Sequence, residues 1–113
     1  MVVDIKRSLK IKIDALKRLE KDYILYKKEE QLQIEKVEKF KADETKDIYD
    51  VKKQIEILDE TKTMIIDSVS RVTTFLVQFG EFLEEHKDED DGSDIWKESF
   101  DIIDQLSTKF LGE

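Results

Sequence analysis

The 113-residue sequence contains no cysteine, no proline and only three glycines, and each shortage excludes a class of structure. Without cysteine the chain forms no disulfide and no thiolate metal site. The scarcity of proline and glycine leaves few residues for the tight turns that a small β protein needs. The composition therefore favours a few long helices.

Long apolar runs are also missing from the chain. No stretch approaches the ~18 apolar residues of a membrane-spanning helix, and the first ten residues lack the apolar centre of a signal peptide. The net charge of -8 argues against nucleic acid as a partner, since phosphate binding requires a basic surface. These features predict a cytoplasmic protein that binds neither a membrane nor a nucleic acid.

Hydrophobic periodicity predicts three helices, at residues 3–41, 48–86 and 94–111. In the first two, apolar residues recur three and four positions apart and form one seam along each helix. The polar segments KADETKD and KDEDDGS separate the three helices. Asp47 and Ser93 end these segments, where their short polar side chains are favoured as N-caps.

The two seams fit one antiparallel hairpin. The first comprises Ile5, Leu9, Lys12, Leu16, Leu19, Tyr23, Tyr26, Glu30, Gln33, Val37 and Phe40. The second comprises Ile48, Val51, Ile55, Leu58, Lys62, Ile65, Val69, Val72, Leu76, Phe79 and Leu83. Pairing Phe40 with Ile48 places Leu9 opposite Phe79 and every other seam position opposite a seam position. The 3,4 spacing predicts left-handed coiled-coil packing.

The third helix is the shortest and has a single apolar stripe, made of Trp96, Phe100, Ile103, Leu106 and Phe110. Running back along the second helix, it should cover residues 69–83 and leave the half of the hairpin nearest the connection as two helices. The sequence thus predicts an all-α, elongated antiparallel three-helix bundle with two long helices and a shorter third. It should form one domain over residues 1–113.

Lys62 is the one charged residue in the second seam. A buried lysine without a partner costs several kcal/mol, so this position should be accessible to water. Tyr26 would lie level with Lys62 and cover the aliphatic part of its side chain.

Charge is distributed unevenly along the chain. Residues 1–21 carry seven basic and three acidic side chains, whereas residues 81–94 carry eight acidic ones and a single lysine. Either the two segments lie together and partly neutralise each other, or the basic segment is open to an acidic partner.

The half of the hairpin without a third helix should expose Ile24, Leu25 and Leu32, with Ile34 beside the seam. Three interpretations remain open for these side chains. They are scattered surface residues, a self-association strip, or a contact surface for a client protein.

No set of residues suggests catalysis. A single histidine, His86, cannot form a catalytic triad, and the acidic residues 88–91 lack the ligand spacing of a calcium loop. No glycine-rich phosphate loop occurs. The sequence predicts no enzyme activity, no metal site and no cofactor.

Two segments resemble tubulin-binding cofactor A, a family of small tubulin-folding chaperones. They are LKIKIDALKRLEKDYILYKKE at residues 9–29 and YDVKKQIEILDET at residues 49–61. The second is similar at exposed positions as well as at seam positions. The family commonly has a proline where Ile66 stands, so this chain lacks that cause of a helix kink.

The resemblance implies a chaperone that captures and stabilises β-tubulin monomers on the pathway to the α/β-tubulin heterodimer, without nucleotide or metal. It would act in the cytoplasm in association with the cytoskeleton, as a monomer or homodimer, with other tubulin-folding cofactors as further partners. The exposed residues carried over as tubulin-binding candidates are Lys10, Lys17, Arg18, Lys21, Tyr49, Asp50, Lys52, Lys53, Gln54, Glu56, Glu60 and Thr61. The alternatives are a self-associating structural coiled-coil protein and an adaptor that docks on anionic membranes through its basic N-terminal face, both without a tubulin client.

Overall fold

The computed structural model describes residues 4–112, in which three α-helices and no strand occur. The helices are α1 (Ile5–Ala42), α2 (Ile48–Glu85) and α3 (Asp94–Leu111), with a single 3-10 turn (Lys87–Glu89) between the last two. The predicted all-α class is confirmed, and the predicted ends agree to within one residue. The predicted start of the first helix at Val3 lies outside the described residues. The second helix passes through Ile66 without interruption.

Aspartate side chains cap the starts of both long helices. The Oδ1 atom of Asp4 accepts the backbone N–H of Arg7 at 3.1 Å. At the start of α2, Asp47 accepts the N–H of Asp50 at 2.9 Å, and Asp50 accepts the N–H of Asp47 at 3.1 Å. This reciprocal pair satisfies two backbone donors that a helix start leaves free, and it confirms Asp47 as the cap.

The acidic segment between α2 and α3 forms a turn. The carboxylates of Asp90 and Asp91 accept the N–H groups of Gly92 and Ser93 at 2.9 and 3.0 Å. Gly92 has a φ of 72°, a conformation that glycine adopts without the steric penalty of a Cβ atom. Ser93 takes the predicted N-cap position, and its carbonyl oxygen accepts the N–H of Lys97 at 3.2 Å.

The chain divides into two compact units. One contains the chain up to Glu20 together with the chain from Val69 onward, and we call it the three-helix unit. The other spans Lys21–Ser68, contains parts of α1 and α2 only, and is called the two-helix unit. The expectation of one domain stays a prediction.

A continuous apolar core fills the three-helix unit. Its buried members come from all three helices and are Leu9, Ile13, Leu16, Val72, Leu76, Phe79, Leu83, Trp96, Ile102 and Leu106. The predicted opposition of Leu9 and Phe79 is consistent with their presence in one cluster. Trp96 and Phe79 are the largest fully buried side chains, so they contribute most to the area that this core removes from water.

The direction of α3 follows from ion pairs with the first helix. The Nζ of Lys17 lies 3.1 Å from a carboxylate oxygen of Glu98, and the Nζ of Lys109 lies 3.0 Å from one of Glu20. Residue numbers rise together along both helices, so α3 runs parallel to α1. It runs back along α2, as predicted, because the ammonium of Lys12 lies 4.6 Å from the ring centroid of Phe82, whereas Leu19 lies beside Phe75.

The buried stripe of α3 differs from the prediction. Trp96 and Leu106 are buried as expected, but Phe100 is 48% exposed, and that assignment is wrong. Ser99 and Ile102 are buried instead. Ser99 tolerates burial because its hydroxyl donates to the carbonyl oxygen of Ile95 at 2.8 Å. A small polar residue therefore takes the place that periodicity assigned to an aromatic ring.

Polar side chains are among the most buried residues of the two-helix unit. Among its described hydrophobic residues only Val37 is buried, whereas Gln54, Thr61 and Ser68 are buried at seven-residue spacing along α2. The side-chain amide of Gln33 donates to the backbone carbonyl and the side-chain oxygen of Gln54, at 2.9 and 3.0 Å. This contact lies one residue from the predicted pairing of Gln33 with Ile55.

Two predicted seam positions in this unit are wrong. Lys62 is exposed, and the seam passes through its neighbour Thr61, whose hydroxyl donates to the carbonyl oxygen of Ile57 at 3.1 Å. Water access to Lys62, which the sequence required, is confirmed. Ile48 is 76% exposed, so it is not a buried seam residue, whereas the ammonium of Lys46 lies 5.1 Å from the centroid of the Phe40 ring.

Candidate functional site

The four basic candidates on the first helix are all exposed. Lys10, Lys17 and Arg18 belong to the three-helix unit, and Lys21 belongs to the two-helix unit. Lys10 pairs with Asp14 at 3.3 Å and Lys17 pairs with α3, whereas Arg18 and Lys21 form no ion pair within residues 4–112. Exposed ion pairs contribute little to stability, so Lys10 and Lys17 can exchange their partners for an anionic group of another protein. All four cations are therefore accessible to such a partner.

The candidates on the second helix divide into two groups. The exposed ones are Tyr49, Asp50, Lys52, Lys53, Glu56 and Glu60, all in the first turns of α2. The side chain of Asp50 is already used by the helix cap. Lys52 and Lys53 form no ion pair within residues 4–112, so their ammonium groups are solvated side by side.

Gln54 and Thr61 were predicted to be exposed, and that prediction is wrong. Their residues are 7% and 9% exposed, and both side chains hydrogen-bond within the two-helix unit. Polar side chains can occupy a helix seam when such bonds replace those made to water. Neither residue is therefore available as a surface contact.

The two oppositely charged segments of the sequence meet in at least one place. The Nζ of Lys6 lies 2.8 Å from a carboxylate oxygen of Asp91, and this contact is the main reason that the pKa of Asp91 lies well below its usual range. The backbone N–H of Ser93, which donates to Asp91 at 3.0 Å, lowers the pKa further. The interpretation of partial neutralisation thus holds for this pair, whereas Arg18 and Lys21 remain open.

Exposed aliphatic side chains are concentrated on the two-helix unit. Ile24, Leu25 and Leu32 are exposed and Ile34 is half-buried, as predicted. On the facing helix, Ile57, Met64 and Ile66 are exposed as well. Isolated exposed aliphatic side chains are ordinary on a protein surface, so the interpretations as scattered residues, as a self-association strip and as a client surface all stay open.

Within residues 4–112 no cluster of three potential metal ligands occurs, and no helix there is long and apolar enough to cross a membrane. His86 follows the end of α2, where its Nδ1 lies 2.7 Å from an oxygen of Glu89 and its ring packs 4.5 Å from that of Phe82. The arrangement is that of a helix-end side chain held by its neighbours.

Sequence reasoning missed Ile13, which is fully buried although it lies outside the predicted seam. Its burial marks the side of the hairpin on which α3 packs. The signal was available, since Ile13 follows the seam position Lys12 and lies within one helical turn of Leu9 and Leu16.

The sequence is similar to that of one family of known proteins. A family model described as tubulin binding cofactor A matches residues 4–103. A tubulin-specific chaperone A of Dictyostelium discoideum is 88% identical over 113 residues, which cover 100% of both chains. The human tubulin-specific chaperone A is 37% identical over 100 residues, covering 88% of this chain and 91% of its own.

A solved structure agrees with the sequence comparisons. The chain is similar to the structure of human tubulin chaperone cofactor A, with a TM-score of 0.72 and 36% sequence identity. The match covers 90% of this chain and 97% of the human one. Similarity in sequence and in backbone therefore extends over most of both chains.

Proposed function

Because this chain belongs to the tubulin binding cofactor A family, we propose that it is a tubulin-folding chaperone that captures β-tubulin monomers and stabilises them on the pathway to the α/β-tubulin heterodimer. The family match over residues 4–103 carries the proposal, since a helical bundle alone supports many functions. Capture needs no nucleotide, no metal and no catalytic group. The chaperone acts in the cytoplasm with the cytoskeleton, and other tubulin-folding cofactors are its further partners.

We assign the contact to exposed helix faces. With the two buried residues removed, the proposed tubulin-binding residues are Lys10, Lys17, Arg18, Lys21, Tyr49, Asp50, Lys52, Lys53, Glu56 and Glu60. The support for the lysines is their solvent exposure together with the acidic character of tubulin that the resemblance implies. Lys52 and Lys53 are the best members to test, because no ion pair within residues 4–112 has to be broken when they bind.

Reversing both charges in the variant Lys52→Glu/Lys53→Glu should abolish capture of β-tubulin. The expected loss comes from repulsion at the contact, since each reversed side chain would face an acidic partner. Co-elution of purified β-tubulin with the chaperone measures capture, and circular dichroism checks that helicity is unchanged. The matched control is Lys28→Glu/Lys39→Glu, which changes the net charge equally at two exposed lysines outside the proposed set. Unchanged capture by the first variant would remove both lysines from the site.

Self-association through Leu25, Leu32 and Ile34 is the second candidate. Leu25 and Leu32 are both exposed and lie seven residues apart, hence on one face of α1. Light scattering separates the two functions. A mass that corresponds to one chain and rises only when β-tubulin is added excludes the self-associating coiled coil, whereas a homodimer that ignores tubulin excludes the chaperone.

A further inference from the structure

The third helix covers one particular side of the α1–α2 pair in the three-helix unit. On α1, Ile13 and Glu20 each follow a seam position by one residue. Ile13 is fully buried, and a carboxylate oxygen of Glu20 lies 3.0 Å from the Nζ of Lys109 on α3. These two residues of α1 therefore face the side that α3 occupies.

Seam-following positions on two antiparallel helices turn to the same side of the pair. Each residue advances about 100° around its helix, and because the helices run in opposite directions, the two advances point the same way. In the two-helix unit, Lys27 and Ile34 on α1 continue the seven-residue spacing of Ile13 and Glu20, and Ile55 and Lys62 on α2 each follow a buried residue, Gln54 or Thr61. We call the surface formed by these four residues the open side, because no third helix belongs to this unit.

The contact between Gln33 and Gln54 shows which of the four residues lie at the same height along the two helices. Their side chains meet at 3.0 Å, so the next residues along each chain, Ile34 and Ile55, lie side by side. Lys27 lies seven residues before Ile34, and Lys62 lies seven residues after Ile55. Because α1 and α2 are antiparallel, both steps lead in the same direction in space, so Lys27 and Lys62 are also level with each other. The open side thus presents two half-buried isoleucines followed by two exposed lysines.

We propose that the open side binds an acidic amphipathic helix of the tubulin client, with Ile34 and Ile55 under its apolar face and Lys27 and Lys62 against its carboxylates. The inference rests on the proposed function for the identity of the client. It adds a surface and a chemical class of ligand that the tubulin-binding candidates do not include.

Charge complementarity supports an acidic occupant. Lys62 forms no ion pair within residues 4–112 and is exposed. Lys27 has only a neighbour in its own helix, Glu30, whose oxygen lies 3.0 Å from its Nζ and raises the pKa of the lysine. Both ammonium groups can therefore turn to a carboxylate from outside, since an exposed pair within one helix is weak.

The chain itself shows how such a helix sits on this type of surface. Between Asp94 and Leu111, α3 carries four acidic and two basic side chains, and it places Trp96, Ile102 and Leu106 inward. One of its carboxylates, that of Glu98, lies 3.1 Å from a lysine of α1, Lys17. An acidic helix with an apolar stripe is thus the partner that α1 and α2 already accept in the three-helix unit.

Charge reversal at the two lysines tests the proposal in a binding assay with purified β-tubulin. The variant Lys27→Glu/Lys62→Glu should bind at least about tenfold more weakly, because two attractive contacts become repulsive. The matched control Lys28→Glu/Lys39→Glu should bind as the unchanged chain does, and Lys27→Arg/Lys62→Arg should retain binding. If the reversed variant loses helicity, Lys27→Gln/Lys62→Gln serves in its place, with a smaller loss expected.

Cross-linking identifies the chemistry of what binds. A photo-reactive amino acid at position 62 should cross-link to a helical segment of β-tubulin with more acidic than basic residues, whereas the same group at position 28 should not. Full binding by the reversed and the neutral variants overturns the proposal, as does a cross-link to a basic or non-helical segment. Absence of binding by the unchanged chain would instead remove the proposed function, so the two failures are distinguishable.

Discussion

The two units use the same two helices but are stabilised differently. The three-helix unit buries ten apolar side chains in one cluster, whereas Val37 is the buried hydrophobic residue of the two-helix unit among those described. In their place the two-helix unit buries Gln54, Thr61 and Ser68. Large apolar side chains of the two-helix unit, such as Leu58 and Ile65, are only half-buried, since two helices alone enclose little space from water.

We expect the three-helix unit to supply most of the stability and the two-helix unit to supply the binding surface. Apolar burial stabilises by about 25 cal/mol per Å², so most of the folding free energy should come from the three-helix unit. The two-helix unit has exposed aliphatic and charged side chains and a seam of modest hydrogen bonds. Regions with few buried apolar contacts open more easily, and binding surfaces are commonly drawn from them.

The largest expected difference between the units is in the free energy of unfolding that an alanine substitution removes. Phe79→Ala should lower the free energy of unfolding by about 3 to 5 kcal/mol, because Phe79 is 1% exposed and its removal leaves a cavity in the apolar cluster. Ile57→Ala in the two-helix unit should cost under about 1 kcal/mol, since that side chain already reaches water. Urea unfolding followed by circular dichroism measures both values. Equal losses would mean that the division into a strong and a weak core is wrong.

Hydrogen exchange should divide each long helix at the boundary between the units. Amides of α1 and α2 within Lys21–Ser68 should open with a free energy lower by on the order of 2 kcal/mol than amides of the same helices in the three-helix unit. Mass spectrometry of peptides along both helices provides the measurement. Uniform protection from end to end would argue that the helices open only as a whole.

The polar seam should have a measurable but smaller effect. Gln54→Ala removes the oxygen that accepts the Gln33 amide at 3.0 Å and should cost about 1 kcal/mol, seen as faster exchange within Lys21–Ser68. The control is Gln31→Ala, since Gln31 is exposed on the same unit. A loss no larger than that of the control would show that the amide pair does not stabilise the seam.

Element limits were predictable because they depend on local sequence. The shortage of proline and glycine, the 3,4 spacing and the capping aspartate Asp47 all act within a few residues, and the structure agrees with them. The side on which α3 packs was also within reach, since the burial of Ile13 extends an apolar pattern that the sequence already contains.

The polar seam positions could not be predicted from hydrophobicity. Periodicity follows apolar residues, so it placed the seam at Ile55 and, by continuing the spacing, at Lys62, whereas the structure buries Gln54 and Thr61, each one residue earlier. Their burial depends on hydrogen bonds, and the partner of Gln54 lies on another helix. The same limitation misassigned Phe100 in place of Ser99 on α3. The candidate contact residues came from the family resemblance, and their exposure was inferred from the predicted seam. Because that seam is displaced by one residue here, two of the candidates are buried.

The smallest expected effect separates two aspartates, one in each unit. The ion pair with Lys6 is the main cause that lowers the pKa of Asp91, whereas hydrogen bonds from the side chain and backbone of Thr45 lower the pKa of Asp43. A depressed carboxyl pKa contributes stability above the ordinary value, and this contribution is lost as the pH falls through the depressed one. Both aspartates should therefore weaken their own unit only in acid.

Salt should distinguish the two causes. Raising the ionic strength to about 1 M shortens the screening length to about 3 Å, so the pKa of Asp91 should rise while that of Asp43 stays lowered by its uncharged partner. Lys6→Met should raise the pKa of Asp91 alone, and Thr45→Val should raise that of Asp43 alone, as followed by NMR titration of the carboxyl carbons. An Asp91 that ignores both salt and the loss of Lys6 would mean that the connection before α3 is ordered by its own backbone bonds and not by α1.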